Sequence, residues 1–541
     1  TRVLSAEQIL SHLDDRFGLL TGGGRAALPR HQTLRTAIDW SHDLLAPQER
    51  TLLRRLSVFG GRFTLEDLEG VCAPDGVPAD HVLDLLSSLV DKSLVAKQDA
   101  GSVACYRLHE TMREYAALKL HDAVEEDLLT ERCAEYYVTR CSRDAEQARY
   151  HLVEWLGWLD LEIDNIRAVL DGCLSRADYR RCLALVGSLA WYWVTRATTE
   201  GVRRLDQLLA LDPSDSEVHT GAHFMRGFLA VLQADPASAG PELDRAMAAA
   251  RDNGQRRLLV EAQSMASVAA NMAGDRESAA RLLVDAQAAG ADLRDGQAML
   301  AVLQAQALHA FFTGDLGLFG SSSAHAEGLS RETGDLYTLE IWLMNQGFAA
   351  LAVGDRGKAQ PRFAEALRIA SAIDDRVAQS YLIGGLGCLA AAAAEPRLAA
   401  RLFGAHERLR AETGASVNAI LTPLLARATA EVDATLGRTT FEAEVQVGTR
   451  YERGAAVGLA LGETGEPPAE APRAGRHAPL AAREAEVAHL VADGLTNKQI
   501  GTRLFISERT VENHVRSIMN KLGFSSRAQI AGWIGGSASR A

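Results

Sequence analysis

Hydrophobic positions recur along this chain at a short period and a long one. The short period is the 3.6-residue spacing of amphipathic helices. Near the C-terminal end Val511, Val515, Ile518 and Leu522 fall on one stripe of a helix, while Arg509, Glu512, Asn513, Arg516 and Asn520 repeat that spacing on the opposite side. Ser507 is a good N-cap, Glu508 suits the first turn, and Gly523 ends the helix. The preceding helix opens with Thr496 and Gln499, a capping box in which each side chain satisfies a free backbone amide. Its buried side is Ile500 and Leu504. Only Phe505 and Ile506 separate it from the next cap, so the two helices must turn sharply. Val487, Leu490 and Val491 predict an earlier helix ended by Asp493-Gly494, and Ala528, Ile530, Ala531 and Ile534 predict a fourth.

The long period lies in the middle of the chain. Gly274-Asp275, Gly314-Asp315 and Gly354-Asp355 are spaced by 40 residues, and Ala234-Asp235 and Ala394-Glu395 extend the ladder to both sides. Five residues after each turn stand Ala239, Ala279, Phe319, Ala359 and Ala399; nine after stand Leu243, Leu283, Ser323, Phe363 and Phe403. Ala246, Ala286, Ala326 and Ala366 follow at twelve. Those offsets mark one helix face with small residues where neighbours approach closely. Each unit therefore reads as helix, turn, helix, stacked into a solenoid whose concave surface suits a small ligand or a protein. The third unit departs from the pattern at Phe319 and Ser323. Residues 120 to 230 are helical in pattern too, with Trp155, Trp158, Trp191 and Trp193 expected to fill gaps in the same superhelix rather than form a stacked aromatic site.

Composition narrows the classes. At 541 residues and 47% hydrophobic content the chain is long enough for several packed units of a soluble, globular kind. The net charge is -13, but residues 480 to 534 carry seven Lys or Arg against five Asp or Glu, a formal +2 that leaves -15 elsewhere. Only the C-terminal segment invites an anionic partner, and its small surplus favours binding as a pair. Seven scattered cysteines without a CxxC pair suit a reducing cytoplasm better than a disulfide or zinc framework, and no metal site is expected. The chain shows no charged-then-apolar leader, and the apolar run Leu382 to Ala394 is too short and too rich in Gly and Ala to span a bilayer, so no membrane role is expected. Pro467-Pro468, Pro472 and Pro479 mark residues 462–479 as a linker.

Residues 480 to 534 resemble the four-helix DNA-binding domain of LuxR-type transcription regulators, a helix-turn-helix whose second helix enters the major groove. The resemblance implies double-stranded DNA as partner, with Glu512, Asn513 and Arg516 toward bases and Thr496, Lys498, Arg509 and Thr510 near phosphates. The chemistry agrees, since Arg suits guanine, Asn adenine, and Glu the cytosine amino group. Ala481 departs from the family, which usually places a capping Ser or Thr there; losing such a cap costs about 1 kcal/mol. The 40-residue units resemble a tetratricopeptide array with somewhat longer repeats. Toward the N-terminus Leu28 to Arg35, Ala37 to Leu45, Leu56 to Phe59 and Tyr106 to Tyr115 resemble the region just after the nucleotide-binding core of NB-ARC or STAND signalling ATPases, a winged helix ending in a histidine motif, here Leu108-His109-Glu110. That resemblance makes His109 a nucleotide sensor, with Glu110 in place of the family's usual Asp.

No GxxxxGK[ST] phosphate-binding loop occurs; Gly357-Lys358 lies inside a repeat and is followed by Ala359, without the hydroxyl that holds magnesium. ATP hydrolysis is therefore not expected. No cofactor is either, save ATP or ADP should a nucleotide-binding domain stand upstream of Thr1. The expected architecture is mainly α: residues 1–35 the end of a helical STAND-type segment, 36–120 a winged helix, 121–461 the solenoid, with clear repeats over about 225–410, 462–479 the linker, and 480–535 the LuxR-type domain. The expected function is cytoplasmic, bacterial-type, sequence-specific regulation of transcription, activating rather than repressing, in which an unidentified small-molecule or protein inducer drives self-association. A homodimer or higher oligomer would then engage DNA, with RNA polymerase as a further partner. The alternatives are a fragment of an ATP-switched STAND ATPase whose nucleotide-binding core is missing, and a repeat scaffold. No catalytic constellation appears.

Overall fold

The computed structural model describes residues 36, 38–73, 81–100, 103–145, 148–211, 219–413, 421–463, 482–492 and 495–504, with 511, 515 and 518. It divides into two compact units, residues 1–464 and 465–541. The fold is mainly α.

The first unit begins as a winged helix. Helices α1 (Pro47–Arg55), α2 (Leu65–Cys72) and α3 (Val82–Asp91) precede the antiparallel strands β1 (Ala96–Ala100) and β2 (Val103–Arg107), and α4 (Glu110–Asp122) follows. Thr64 and Asp67 start α2 as a reciprocal capping box, with amide contacts of 2.7 and 3.2 Å. A single bridge from Phe63 to Tyr106 widens the two-stranded wing on its inner side. Leu52, Leu56, Phe59, Phe63, Leu68 and Leu86 form a core that continues without a break into the next helices.

Those helices are α5 (Glu126–Ala145), α6 (Leu152–Ser175), α7 (Tyr179–Ser188), α8 (Ala190–Thr195) and α9 (Thr198–Leu211). Polar contacts weld the winged helix to them. The Asn165 amide oxygen accepts from the Gly61 N–H at 2.8 Å while its nitrogen donates to the Arg62 carbonyl at 2.5 Å. Buried Glu162 accepts from both Asn165 and the Tyr137 hydroxyl at 2.8 Å. Burial and the nearby Asp67 carboxylate push the Glu162 carboxyl up to about 8. Trp155 and Trp193 are buried here, as expected of gap-fillers.

Five helical hairpins follow: α10 (His219–Leu232) with α11 (Pro236–Asp252), α12 (Arg256–Ala273) with α13 (Arg276–Gly290), α14 (Gly296–Thr313) with α15 (Leu316–Thr333), α16 (Leu336–Ala352) with α17 (Arg356–Ala372), and α18 (Arg376–Ala392) with α19 (Pro396–Thr413). The residues expected at offsets 5, 9 and 12 from the ladder are buried in every unit, Phe319 and Ser323 included. The true spacing of turns is 20, because the turn between hairpins is built like the turn within one. Positive φ recurs at Ala234, Gly254, Gly274, Gly314, Gly334, Gly354, Asp374 and Ala394, each followed by a residue whose N–H donates to the carbonyl five positions back. Only residue 294 interrupts the series. Helices α20 (Leu421–Leu436), α21 (Arg438–Gly448) and α22 (Arg453–Leu461) cover the last hairpin.

The superhelix also closes on itself. Arg149, just before α6, meets Asp335 at the start of α16 at 2.6 Å and donates to the Thr338 hydroxyl at 3.0 Å. Its guanidinium lies 5.4 Å over the Trp191 ring, and Trp191 packs edge-on against Tyr337 at 5.0 Å. Further along, Arg196 donates to the Ile373 carbonyl at 3.1 Å and faces Asp374 at 3.5 Å. No helix among the described residues is long and apolar enough to cross a membrane.

Candidate nucleic-acid interface

The second unit holds α23 (Ala482–Ala492) and α24 (Asn497–Leu504); Asp493 and Gly494, expected to end the first of them, lie outside the described residues. The Leu495 N–H closes α23 on the Leu490 carbonyl at 3.2 Å. The capping box forms as expected: the Thr496 N–H donates to Gln499 Oε1 at 2.8 Å, and the Gln499 N–H donates to the Thr496 hydroxyl at 3.3 Å. Val487, Ala488, Leu490, Val491 and Ile500 bury a small core, and Val511, Val515 and Ile518, all helical, join it. Three members of the apolar stripe read from the sequence are therefore turned into the core of this unit.

Of the residues carried over from the family pattern, Thr496 is exposed at the start of α24, its hydroxyl engaged in the cap. Lys498 stands in the first turn of α24, and its side chain is outside the described residues, as are Arg509, Thr510, Glu512, Asn513 and Arg516, together with the linker, Ala481, Leu522 and the expected fourth helix. Arg503, unremarked in the sequence, adds an exposed cation on α24.

Helix α3 of the winged helix carries Asp84 and Asp91 and no Lys or Arg. His109 occupies the N-cap position of α4, separated from the end of β2 by Leu108, with extended backbone and no side-chain cap bond. It is exposed beside the free amides of the first turn. Gly357 and Lys358 lie in the first turn of α17, where the Lys358 N–H is taken by Asp355 at 3.1 Å.

Residues 478–534 match the luxR family of bacterial regulatory proteins, and residues 45–121 match a winged helix-turn-helix domain. Fold and matches together define a helical-repeat protein that carries a winged helix at one end and a LuxR-family helix-turn-helix at the other. Over 209 residues the chain is 39% identical to a Mycobacterium tuberculosis protein named as an HTH-type transcriptional regulator, covering 38% of this chain and 24% of that one. Over 55 residues it is 47% identical to the transcriptional regulatory protein LiaR of Bacillus subtilis, 10% of this chain and 26% of that one. The chain thus spans about a quarter of the length of these curated relatives. Among solved structures, a signal transduction ATPase with numerous domains and a tetratricopeptide repeat sensor, from Pyrococcus horikoshii, superposes over 85% of this chain and 70% of its own, with TM-score 0.45 and 16% identity.

Proposed function

We propose that this chain is a sequence-specific DNA-binding regulator of transcription, an activator, whose repeat domain senses an inducer and controls self-association. The observation that carries the reading is the LuxR-family match over 478–534, joined to the burial of Val511, Val515 and Ile518 in the core of that unit. Glu512, Asn513 and Arg516 then meet base edges, and Thr496, Lys498, Arg509 and Thr510 meet phosphates. A formal charge of only +2 over residues 480 to 534 gives one copy a weak electrostatic hold, so paired half-sites are the natural target.

In-vitro selection of duplex DNA by the full chain, followed by titration of the selected site, tests this. Arg516→Ala should cost about 1 to 3 kcal/mol and relax preference at one base position. Unchanged affinity and unchanged preference would remove Arg516 from the interface, and failure to enrich any sequence would sink the regulator reading.

A second reading draws on the winged-helix match over 45–121 and on His109 at the opening of α4. In it the chain is the C-terminal part of an ATP-switched STAND protein, with His109 touching the phosphate of ADP held by an upstream domain. Equilibrium dialysis of ADP against a version extended upstream, with and without His109→Ala, tests that role.

A further inference from the structure

Two adjoining pockets open to solvent, of about 770 and about 150 Å³, lie between α7, α8 and α9 on one side and the inner helices α10, α12, α14 and α16 on the other. Both are lined by Ala190, Phe224 and Met225, so they form an outer and an inner chamber of one site. The outer chamber alone falls within the volume range of small-molecule sites. Trp191, Phe228, Met265 and Leu300 wall the inner chamber, which ends at the Arg149–Asp335 closure.

The polar groups in the inner chamber differ in how much of their bonding capacity is spent. Arg149 is committed to Asp335 and Thr338. Gln297 donates to the Tyr150 hydroxyl at 3.2 Å. Glu261 is different: its carboxylate is 14% exposed, makes no hydrogen bond to another described residue, and has as its nearest cation Arg257 at 3.8 Å, itself 56% exposed. Burial raises its pKa, with Arg257 and Arg149 opposing and Asp295 adding to the rise. A half-buried acceptor facing aromatic walls suits a ligand that brings a charged donor on an apolar body. In the inner chamber a carboxylate ligand would set its charge against Glu261 while Arg149 is already paired with Asp335; the cations Arg256 and Arg257 line the outer chamber, together with Asp295. A polyol would leave most of its hydroxyls against apolar walls.

We propose that this double chamber binds a small organic amine, its ammonium on Glu261 and its apolar or aromatic body against Trp191, Phe224 and Phe228. The proposal deepens the sensor reading and rests on it for what binding does to transcription. Binding itself is measured without DNA, so the two fail separately.

The experiment is calorimetric titration of the full chain with tryptamine, phenethylamine and octylamine, beside indole-3-propionate and indole-3-ethanol as anionic and neutral counterparts. At least one amine should bind, and tryptamine at least tenfold tighter than either indole counterpart. Glu261→Gln should weaken the amine at least tenfold and leave the neutral indole within twofold. Phe224→Leu, a milder change kept in case the first variant fails to fold, should weaken amine and neutral indole alike. Absence of binding by all three amines at millimolar concentration, equal or tighter binding of the propionate, or an unchanged amine affinity in Glu261→Gln would each overturn the assignment.

Discussion

At Asp235, Asp275, Asp315, Asp335, Asp355 and Asp375 one residue serves two helices. Its N–H closes the helix before it, and its carboxylate accepts from an amide in the first turn of the helix after it, at 2.9 to 3.1 Å. Where that cap is accessible, at Asp235 and Asp275, hydrogen bonds from Ser238 and Ser278 hold the carboxyl below the usual carboxylate range. At Asp375 burial wins over the same bonds and pushes the carboxyl up to about 7, with Arg196 opposing and Asp374 adding to the rise. Glu340, wholly buried with neither oxygen bonded, is raised as well by burial and by Asp375. The sign at Asp375 follows from linkage: the native form keeps its proton between the unfolded value, about 4, and about 7, so stability falls as pH rises across that window and stays low above it. Asp375→Asn keeps an oxygen for the cap and removes the ionisation. Chemical denaturation at pH 8 should show this variant more stable than the parent by on the order of 2 kcal/mol, with the difference shrinking toward pH 5. A constant difference would show that Asp375 does not titrate in that range.

The hairpins depend on unequal neighbours. A Cβ added at Gly227 would lie 2.6 Å from Leu243, at Gly347 2.6 Å from the Phe363 ring, and at Gly387 2.8 Å from Phe403. At Leu243, Phe363 and Phe403 the large residue nine positions past the ladder turn thus fits because the partner helix offers no side chain opposite it. Gly347→Ala should cost about 1 to 3 kcal/mol by overpacking, measured by urea unfolding, and Phe363→Leu in the same chain should recover part of it. Full additivity of the two changes would show that the pair does not touch. This element-level pattern explains what was legible in the sequence. The offsets 5, 9 and 12 stood out because alanines and bulky residues alternate at one period. The intervening turns at Asp295, Asp335 and Asp375 were hidden, because the residue before each cap varies: Gly334 repeats the Gly-Asp pair, but Arg294 and Asp374 do not. In the second unit the cap at Thr496 and the apolar stripe were equally visible, since both are local signals.

The closure of the superhelix left no mark in the sequence, because it joins residues nearly two hundred positions apart and nothing periodic announces it. Trp191 illustrates the difference: packed against the core as expected of a gap-filler, it also stands half-buried on a pocket wall, held between Arg149 and Tyr337. The Asp335 carboxylate carries the closure, since it is fully buried, caps α16 and pairs with Arg149 at 2.6 Å. Arg149→Met keeps most of the stem that covers Trp191 but leaves that carboxylate with only Thr338 for company. Losing one partner of a buried pair costs several kcal/mol, and the 20% exposure of Arg149 lowers the expectation to about 2 to 3. If the pair closes the molecule, the loss appears at two distant places at once. Hydrogen exchange should quicken in α6 to α8 and in the first turns of α16 and α18, while α20 to α22 stay protected. Asp335→Asn should offset part of the loss, because the variant pair leaves no buried charge, and the double-mutant cycle should return a coupling above about 1 kcal/mol. Coupling near zero, with exchange changed only beside Arg149, would mean that the chamber is held shut by the helix packing around it and not by this ion pair.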